Sequence, residues 1–285
     1  MPELPEVEAL CRSFHTRLRG RVVARVTVRS VAVLKTFDPP VTALEGLTFD
    51  GCVRRGKFLD LAIPPLHLVV HLARGGWIRL RDKPTNARPS LRGPLAVIVT
   101  LEDGGSLEIT EHGTDKRLAV SVVRDPAEVP GVARLGIDAL DPELSPASLG
   151  GLLRDQRGTL KSVLADQSVI AGIGNAYSDE ILHAAQLSPF RHADALTGED
   201  LDRLASAIRD VLSGAVALAL DADPRSLKDG KRQSMRVHGR TGLPCPVCAE
   251  TVREVSLASR SFQYCPRCQT GGRILADRRM SRLLR

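Results

Sequence analysis

Two Cys-x-x-Cys pairs near the C-terminus place the strongest constraint on how this chain folds. The pairs are separated by sixteen residues and consist of Cys245, Cys248, Cys265 and Cys268. This spacing is typical of a four-cysteine zinc site, in which the residues between the pairs return as a β-hairpin. A redox dithiol is the alternative for one such pair, but two pairs at this spacing favour zinc. Four sulfur ligands leave no position for substrate, so we predict one structural Zn²⁺ that takes no part in catalysis.

The charge and the remaining cysteines narrow the class of protein. Lys and Arg number 40 against 33 for Asp and Glu, a net charge of +7, which suits a polyanion such as nucleic acid but also an ordinary soluble surface. Cys11 and Cys52 stand alone, so the sequence does not indicate a disulfide framework. No stretch approaches the ~20 apolar residues of a membrane span, and the acidic start does not resemble a secretory signal. We therefore expect a cytoplasmic protein.

The first half of the chain predicts a helix followed by many short strands. Apolar residues from Val7 to Leu18 recur at helical spacing, and Cys11 lies on that face as core packing. Strand patterns then cover Arg21–Val28, Leu47–Val53, Phe58–Ile63, Leu66–Leu72, Trp77–Leu80, Ala96–Leu101, Leu107–Thr110 and Leu118–Val123. Short strands separated by Gly, Pro and Asp turns predict an antiparallel β-sandwich or barrel with the helix at its side.

Beyond about residue 130 the pattern becomes helical, with a long helix predicted from about Leu201 to Leu212. We divide the chain into a β-sandwich domain at 1–130, a helical domain at 131–235, a zinc finger at 236–272 and a basic tail at 273–285. The fold class is therefore α+β and multidomain.

The N-terminus offers covalent chemistry. If Met1 is removed, Pro2 becomes a terminal secondary amine that can attack an electrophilic carbon and form an iminium ion. Glu3 stands beside it with a carboxyl that can transfer a proton. The alternative is that Pro2 and Pro5 merely stiffen the start of a helix.

Three other segments are candidates for phosphate contacts. Arg54-Arg55-Gly56-Lys57 lies between two strand patterns, where basic side chains would project from a hairpin tip. Asn175 follows a glycine-flanked turn as a predicted N-cap, and a helix start of this kind either binds an anion or is an ordinary capped turn. Arg260 lies inside the zinc-braced hairpin, where its planar donor fork suits a phosphate.

These motifs occur in one order along the chain, and together they resemble a known family. Pro2-Glu3-Leu4-Pro5-Glu6, Lys57 after Arg55-Gly56, Gly172-Ile173-Gly174-Asn175 and the four-cysteine hairpin are similar to those of the formamidopyrimidine-DNA glycosylase and endonuclease VIII family. The resemblance runs from residue 1 to about 270. It implies an N-terminal β-sandwich, a helix–two-turn–helix domain and a zinc finger, in a monomer that repairs damaged double-stranded DNA as a glycosylase and AP lyase.

The resemblance also assigns roles to the catalytic candidates. Pro2 would attack C1′ of the damaged nucleotide, and Glu3 would protonate the opening sugar. Lys57 would contact phosphate and assist the elimination, and Glu6 would support the site as a second carboxylate. Loss of the base leaves an iminium that acts as an electron sink, so the 3′ and then the 5′ phosphate can leave.

The DNA contacts follow in the same way. Asn175 would hold a phosphate at its helix start, and Arg260 would bind the flanking phosphate and help the second elimination. Lys161 is a further expected DNA contact. Turning the nucleotide out of the stack costs a few kcal/mol, which phosphate contacts of this kind help to offset.

Two departures bear on the choice of lesion. Members that prefer oxidised purines commonly carry His-Leu-Gly-Met-Ser/Thr-Gly, whereas this chain has His71-Leu72-Ala73-Arg74-Gly75-Gly76. The family's Arg-Arg-Phe set, whose Phe wedges into the duplex, is here Lys116-Arg117-Leu118. We therefore expect Arg117 to contact phosphate, and Arg74 with Leu118 to replace the wedge.

These departures favour oxidised pyrimidines and abasic sites as substrates. An 8-oxoguanine or formamidopyrimidine preference stays open. A second alternative also stays open, namely a non-catalytic zinc-containing protein that senses damaged DNA and binds lesions without cutting them. A redox protein would instead require reversible disulfides without bound metal.

Overall fold

The computed structural model describes residues 1–82, 93–223, 227, 234–257 and 260–276. It consists of two compact units, which we call the N-terminal unit and the C-terminal unit. The N-terminal unit extends to Arg134, and the C-terminal unit begins at Leu135. None of the helices in these ranges combines the length and apolar composition that a bilayer-spanning helix needs.

The N-terminal unit opens with helix α1, Leu4–Leu18. Pro5 lies in its first turn, where a missing N–H costs nothing. The predicted apolar face is buried and includes Leu4, Val7, Leu10, Phe14 and Leu18. The predicted N-terminal helix is thus confirmed, and it anchors the first residues of the chain through that face.

Eight strands follow among the residues that the structure describes up to Arg134, and they confirm the predicted β-sandwich. They are β1 Val23–Val28, β2 Gly51–Arg55, β3 Phe58–Ile63, β4 Leu66–His71, β5 Gly76–Arg81, β6 Leu95–Leu101, β7 Ser106–Glu111 and β8 Ala119–Val123. One antiparallel sheet has the order β1-β6-β7-β5 and the other β2-β3-β4-β8. Short 3₁₀ helices at Val31–Val33, Val41–Leu44 and Pro126–Glu128 and helix α2, Pro130–Ala133, complete the unit.

The second predicted strand is displaced in the structure. Leu47–Val53 was the expected range, but β2 continues through Arg55, which pairs with Phe58. The hairpin tip is therefore only Gly56 and Lys57, with Gly56 at φ +54. Arg54 and Arg55 thus lie in the strand, because their backbones complete the ladder with β3. Trp77 is buried in β5, as a core residue.

The C-terminal unit contains the predicted helices. They are α3 Pro146–Arg154, α4 Leu160–Leu164, α5 Asn175–Ala184 and α6 Gly198–Asp221, with a 3₁₀ helix at Ala193–Ala195. Hydroxyl side chains cap three of them, Ser145 before α3, Thr159 before α4 and Thr197 before α6. Strands β9 Ile137–Asp138 and β10 Ile170–Ala171 pair in parallel.

The predicted zinc hairpin belongs to the same unit. Strands β11 Arg253–Leu257 and β12 Arg260–Tyr264 pair antiparallel, and helix α7, Pro266–Thr270, follows. Phe262 packs edge-on against Phe190, with ring centroids 5.2 Å apart. The side-chain amide of Gln269 donates to the Leu187 carbonyl over 3.0 Å. The hairpin is therefore fixed to the residues that connect α5 and α6.

Candidate active site and zinc centre

The first three residues are held against the start of α1. Pro2 and Glu3 are buried, whereas Met1 is about half exposed. The Glu3 backbone N–H donates to Glu6 Oε2 over 2.7 Å, and the two residues form a reciprocal capping box. The predicted supporting carboxylate, Glu6, therefore fixes the backbone of the predicted proton donor, next to the Pro2 nitrogen.

A second carboxylate connects α1 to the hairpin that carries Lys57. Glu8 Oε2 accepts from Arg54 Nε over 2.7 Å, and Arg54 Nη1 donates to the Gly56 carbonyl over 3.3 Å. Burial alone would raise the pKa of Glu8, but the hydrogen bonds from Arg54 and Arg12 outweigh it and lower that pKa. The ionised Glu8 thus ties the turn before Lys57 to the helix that begins near Pro2.

Lys57 is itself buried, with 6% of its surface exposed. Burial, and secondly the charge of Lys57, lower the pKa of His71 to about 4. His71 is therefore neutral at pH 7, and its ring lies 4.6 Å from that of Phe58. Lys57 and the neighbouring arginines Arg54 and Arg55 are therefore the cations of this hairpin, and His71 adds no charge to them.

The Arg74 loop is tightly built between β4 and β5. The Gly76 N–H donates to the Leu72 carbonyl over 2.8 Å, and the His112 N–H donates to the Gly75 carbonyl over 2.9 Å. A Cβ at Gly75 would lie 2.0 Å from the His112 carbonyl oxygen, so no larger residue fits there. Arg74 is exposed at the tip, where a predicted DNA contact is sterically available.

Leu118 does not fit the predicted wedge. It is 1% exposed, and its backbone N–H donates to Glu111 Oε1 over 2.6 Å, as does that of Arg117. Because the leucine packs into the protein, it cannot insert into a duplex, and we remove it from the predicted DNA contacts. Arg117 is exposed and pairs with Asp115 over 2.8 Å, so its guanidinium remains a candidate phosphate contact.

Lys161 does not fit its predicted role either. Its Nζ is buried and donates to the Asn175 carbonyl at 2.6 Å, Ser178 Oγ at 2.7 Å and Asp179 Oδ1 at 2.6 Å. An ammonium has three donors, and all three are occupied inside the protein. Lys161 is therefore a positioning residue that holds the first turn of α5, and not a DNA contact.

Asn175 is the first residue of α5, and the N-cap is Gly174 instead. The Asn175 side-chain amide donates to the Ser261 carbonyl over 2.9 Å, which brings the helix start beside the beginning of β12. Arg260 is the first residue of β12 and pairs with Leu257, but its side chain lies outside the described residues. Two of the predicted phosphate contacts therefore belong to neighbouring backbone segments.

Two acidic residues of α5 hold the segment that enters the zinc finger, and the sequence reasoning missed both. Asp179 Oδ2 lies 2.7 Å from His238 Nδ1, while Glu180 accepts the backbone N–H groups of Arg236, Val237 and His238. Burial raises the pKa of Glu180, against the lowering effect of these three bonds. The sequence carried no clear signal for them, because acidic residues on a helix are mostly exposed and their burial depends on the segment that packs against α5.

The four predicted zinc ligands lie together. Cys245 Sγ is 3.9 Å from Cys268 Sγ, and Cys248 Sγ is 3.4 Å from the sulfurs of Cys265 and Cys268. Four thiolates at the usual Zn–S distance of about 2.3 Å sit roughly 3.8 Å from one another, so the observed spacings fit the ion. These cysteines would hold one structural Zn²⁺, which supplies a rigid support for the β11–β12 hairpin.

His183 is a further residue at this centre that the sequence reasoning missed. Its Nε2 lies 3.3 Å from Cys245 Sγ, and it forms a close cluster with Cys245, Cys265 and Cys268. The ring is 2% exposed, and its Nδ1 has no hydrogen-bond partner. With Zn²⁺ bound and the proton on Nε2, this ring would donate to the Cys245 thiolate and stabilise its negative charge. Its signal was slight, since a lone histidine on an apolar helix face is usually core.

Three family models match successive segments of the chain. The formamidopyrimidine-DNA glycosylase N-terminal domain matches residues 1–117, and the H2TH domain of formamidopyrimidine-DNA glycosylase matches residues 135–223. A zinc finger found in FPG and IleRS matches residues 242–271.

Individual proteins are similar to this chain over long segments. A formamidopyrimidine-DNA glycosylase of Symbiobacterium thermophilum is 36% identical over 276 residues, which cover 94% of this chain and 89% of the relative. An uncharacterised formamidopyrimidine-DNA glycosylase-like protein of Mycobacterium tuberculosis is 58% identical over 159 residues, or 56% of this chain and 99% of that protein.

A solved structure shares the fold. Formamidopyrimidine-DNA glycosylase of Lactococcus lactis, bound to DNA that contains an AP site, superposes with a TM-score of 0.83 at 24% identity. The match covers 94% of this chain and 99% of that one.

Replacement of Lys161 by Met tests the positioning role. Without the ammonium, the buried Asp179 carboxylate loses one of its hydrogen-bond partners. We therefore expect the free energy of unfolding to fall by about 3–5 kcal/mol. The measurement is denaturant unfolding, with the exposed Lys35→Met variant as the matched control, which should change stability by less than about 1 kcal/mol. Equal effects of the two substitutions would contradict the assignment.

Replacement of His183 by Phe tests the contact with the zinc thiolate. Phe preserves the ring volume but lacks the N–H donor, so we expect zinc affinity to fall by about tenfold or more. Competition with a chromophoric chelator measures it, and the exposed His112→Phe variant is the control. Unchanged zinc affinity in the His183 variant would show that the ring only fills space.

Proposed function

The chain belongs to the formamidopyrimidine-DNA glycosylase family and is a DNA glycosylase of damaged bases, and we propose that it also cuts the strand as an AP lyase through the Pro2 amine. One observation carries this proposal. Pro2 and Glu3 are buried at the start of α1, and the Glu6 carboxylate fixes the backbone of Glu3 at 2.7 Å. A terminal nucleophile is useful only when it is held, and this hydrogen bond holds it.

The proposed reaction begins after removal of Met1. The Pro2 nitrogen attacks C1′ of the everted nucleotide, the C1′–base bond breaks, and Glu3 donates a proton to the opening sugar. The resulting iminium withdraws electrons from the sugar, which makes the C2′ proton acidic. Its removal expels the 3′ phosphate, and a second elimination expels the 5′ phosphate. Water then releases the sugar fragment and regenerates the Pro2 amine.

Lys57 is the proposed cation beside this chemistry. The backbone of its turn is tied through Arg54 and Glu8 to α1, the helix that begins near Pro2. We assign it to a backbone phosphate, where its charge stabilises the leaving group and assists proton transfer.

The remaining proposed contacts bind the duplex. Asn175 and Arg260 lie on adjoining backbone segments of the C-terminal unit, which the zinc centre braces. Arg74 and Arg117 are exposed on two loops of the N-terminal unit. Each phosphate that such side chains neutralise adds to the salt dependence of binding.

The Arg74 loop supports a preference for oxidised pyrimidines and abasic sites. It presents a charged side chain where purine-specific members carry methionine, and Leu118 is buried instead of exposed as a wedge. The second candidate is a preference for formamidopyrimidines and 8-oxoguanine. The name of the relative from Symbiobacterium thermophilum favours it, since a formamidopyrimidine is a ring-opened purine.

Substitution of Glu3 by Gln separates the two chemical steps. Gln cannot donate the proton that opens the sugar ring as the base leaves, so we expect excision of an oxidised base to slow by about a hundredfold or more. Cleavage at a preformed abasic site should fall much less, because that sugar opens to an aldehyde in water without the enzyme's proton. Single-turnover assays on the two duplexes measure this, with the exposed Glu102→Gln variant as control. A Glu3 variant that excises bases at the normal rate would contradict the assignment.

A panel of duplexes that carry different lesions tests which damaged base the enzyme prefers. Matched substrates would carry 5-hydroxycytosine, dihydrouracil, 8-oxoguanine or formamidoguanine opposite each normal base, and single-turnover excision rates would be compared. We expect the two oxidised pyrimidines to be excised faster than the two purine lesions. The reverse order would establish the second candidate.

A further inference from the structure

Cys11 and Cys52 face each other inside the N-terminal unit. The two residues are 41 positions apart, yet their Sγ atoms lie 2.8 Å from one another. Cys11 belongs to α1 and Cys52 to β2, and they are 4% and 6% exposed. The sequence showed each of them as a lone cysteine, so the fold creates a pair that the sequence pattern does not indicate.

The two thiols are held by rigid elements. Cys52 pairs with Leu61 of β3 in the sheet, and its backbone N–H donates to His15 Nδ1 of α1 over 3.4 Å. Bonded sulfurs lie about 2.05 Å apart, so closure of the bond requires an approach of roughly 0.8 Å. Side-chain rotation supplies a movement of this size without displacing the helix from the strand.

Metal binding does not account for this pair. Among the residues that the structure describes, the cluster able to hold an ion is His183 with Cys245, Cys265 and Cys268, in the C-terminal unit. Two thiols without further ligands do not complete a tetrahedral site.

We propose that Cys11 and Cys52 are an oxidation site that closes to a disulfide when the protein meets a hydroperoxide. The thiolate of one residue attacks the peroxide oxygen and becomes a sulfenic acid, with release of water when hydrogen peroxide is the oxidant. The thiol of the other then attacks the sulfenic sulfur and releases a second water. Two thiols and one peroxide thus give one disulfide and two waters, with the peroxide as the species reduced.

The surroundings set the speed of this reaction. Burial is the largest of the effects that raise the pKa of the Cys52 thiol. The hydrogen bond with Cys11 and the charges of Asp60 and Glu8 raise this pKa further. Since the thiolate is the reacting form, the pair closes slowly at neutral pH and is not a rapid peroxide sensor. Hydrogen peroxide is nearly as small as water, so it reaches sulfurs of slight exposure that larger disulfides cannot approach.

Closure would tie α1 directly to β2. The helix carries Glu3 and Glu6 at its start, and β2 runs into the turn that holds Lys57. The bond therefore reinforces the connection that Glu8 and Arg54 make without a covalent link. The proposal goes beyond the glycosylase and lyase activity and does not depend on it.

Peptide mapping tests the bond. Full-length, zinc-loaded protein is titrated with hydrogen peroxide, denatured, alkylated without reduction and digested with trypsin. Cys11 then lies on peptide 2–12 and Cys52 on peptide 36–54, each with a single cysteine. We expect the two peptides to appear as one species that lacks two hydrogens and separates on reduction.

Oxidation of the zinc cysteines serves as the internal reference for the dose of hydrogen peroxide. These cysteines lie on peptides 241–253, 261–267 and 268–273, which do not overlap the first pair. If Cys11 and Cys52 are still fully alkylated after prolonged exposure to a dose that has oxidised all of the zinc cysteines, the proposal is wrong. A bond between either of them and a zinc cysteine would also overturn it.

Thermal unfolding is the second readout. Closure of a loop of this length should raise the Tm of the oxidised protein by about 5–10 °C over the reduced form. Cys11→Ser and Cys52→Ser each remove one sulfur, and neither variant should gain this shift. Two variants are used because one of them alone could fail to fold. An equal shift in wild type and in both variants would contradict the assignment.

Discussion

The hydrogen bond from the Glu3 backbone to the Glu6 carboxylate is the interaction on which the proposed chemistry depends. Chain ends ordinarily move freely, and a nucleophile placed there loses its advantage to conformational entropy. Here the first turn of α1 is capped by its own glutamate, and the helix behind it is buried along one face. In the proposed reaction, the Pro2 amine that removal of Met1 exposes would have the rigidity of a side chain on a packed helix.

The C-terminal unit uses buried charge in the same way. Lys161 and Asp179 hold the first turn of α5, and Glu180 gathers three successive backbone N–H groups of the segment that enters the finger. Buried ions of this kind are costly unless every donor and acceptor is matched, which favours one arrangement over near alternatives. The zinc thiolates and His183 extend this arrangement to the β11–β12 hairpin. Asn175 and Arg260 belong to the backbone segments that these interactions hold in place.

Periodicity in the sequence was sufficient for α1, for α6 and for the strands of the sandwich other than β2, because each buries one regular face. It placed β2 too early, at Leu47–Val53, because it does not show that the backbones of Arg54 and Arg55 pair with β3. Cysteine spacing was sufficient for the zinc centre, since ligand chemistry allows few spacings. The partners of buried polar groups could not be predicted from the sequence. The sequence pattern indicates that Lys161 is an exposed cation, whereas in the fold α5 places Asp179 beside it. The prediction of Leu118 as a wedge was wrong for the same reason, because the burial of this side chain depends on the loop that Glu111 holds. The Cys11–Cys52 approach arises only when α1 meets β2.

Borohydride trapping tests the central claim most directly. Protein with Met1 removed is incubated with a duplex that contains one abasic site, the mixture is reduced, and the cross-linked peptide is identified by mass spectrometry. Reduction converts an iminium into a stable amine, so the account predicts an adduct on the nitrogen of Pro2 within peptide 2–12. An adduct on a lysine, or none from zinc-loaded protein that binds the duplex, would contradict it.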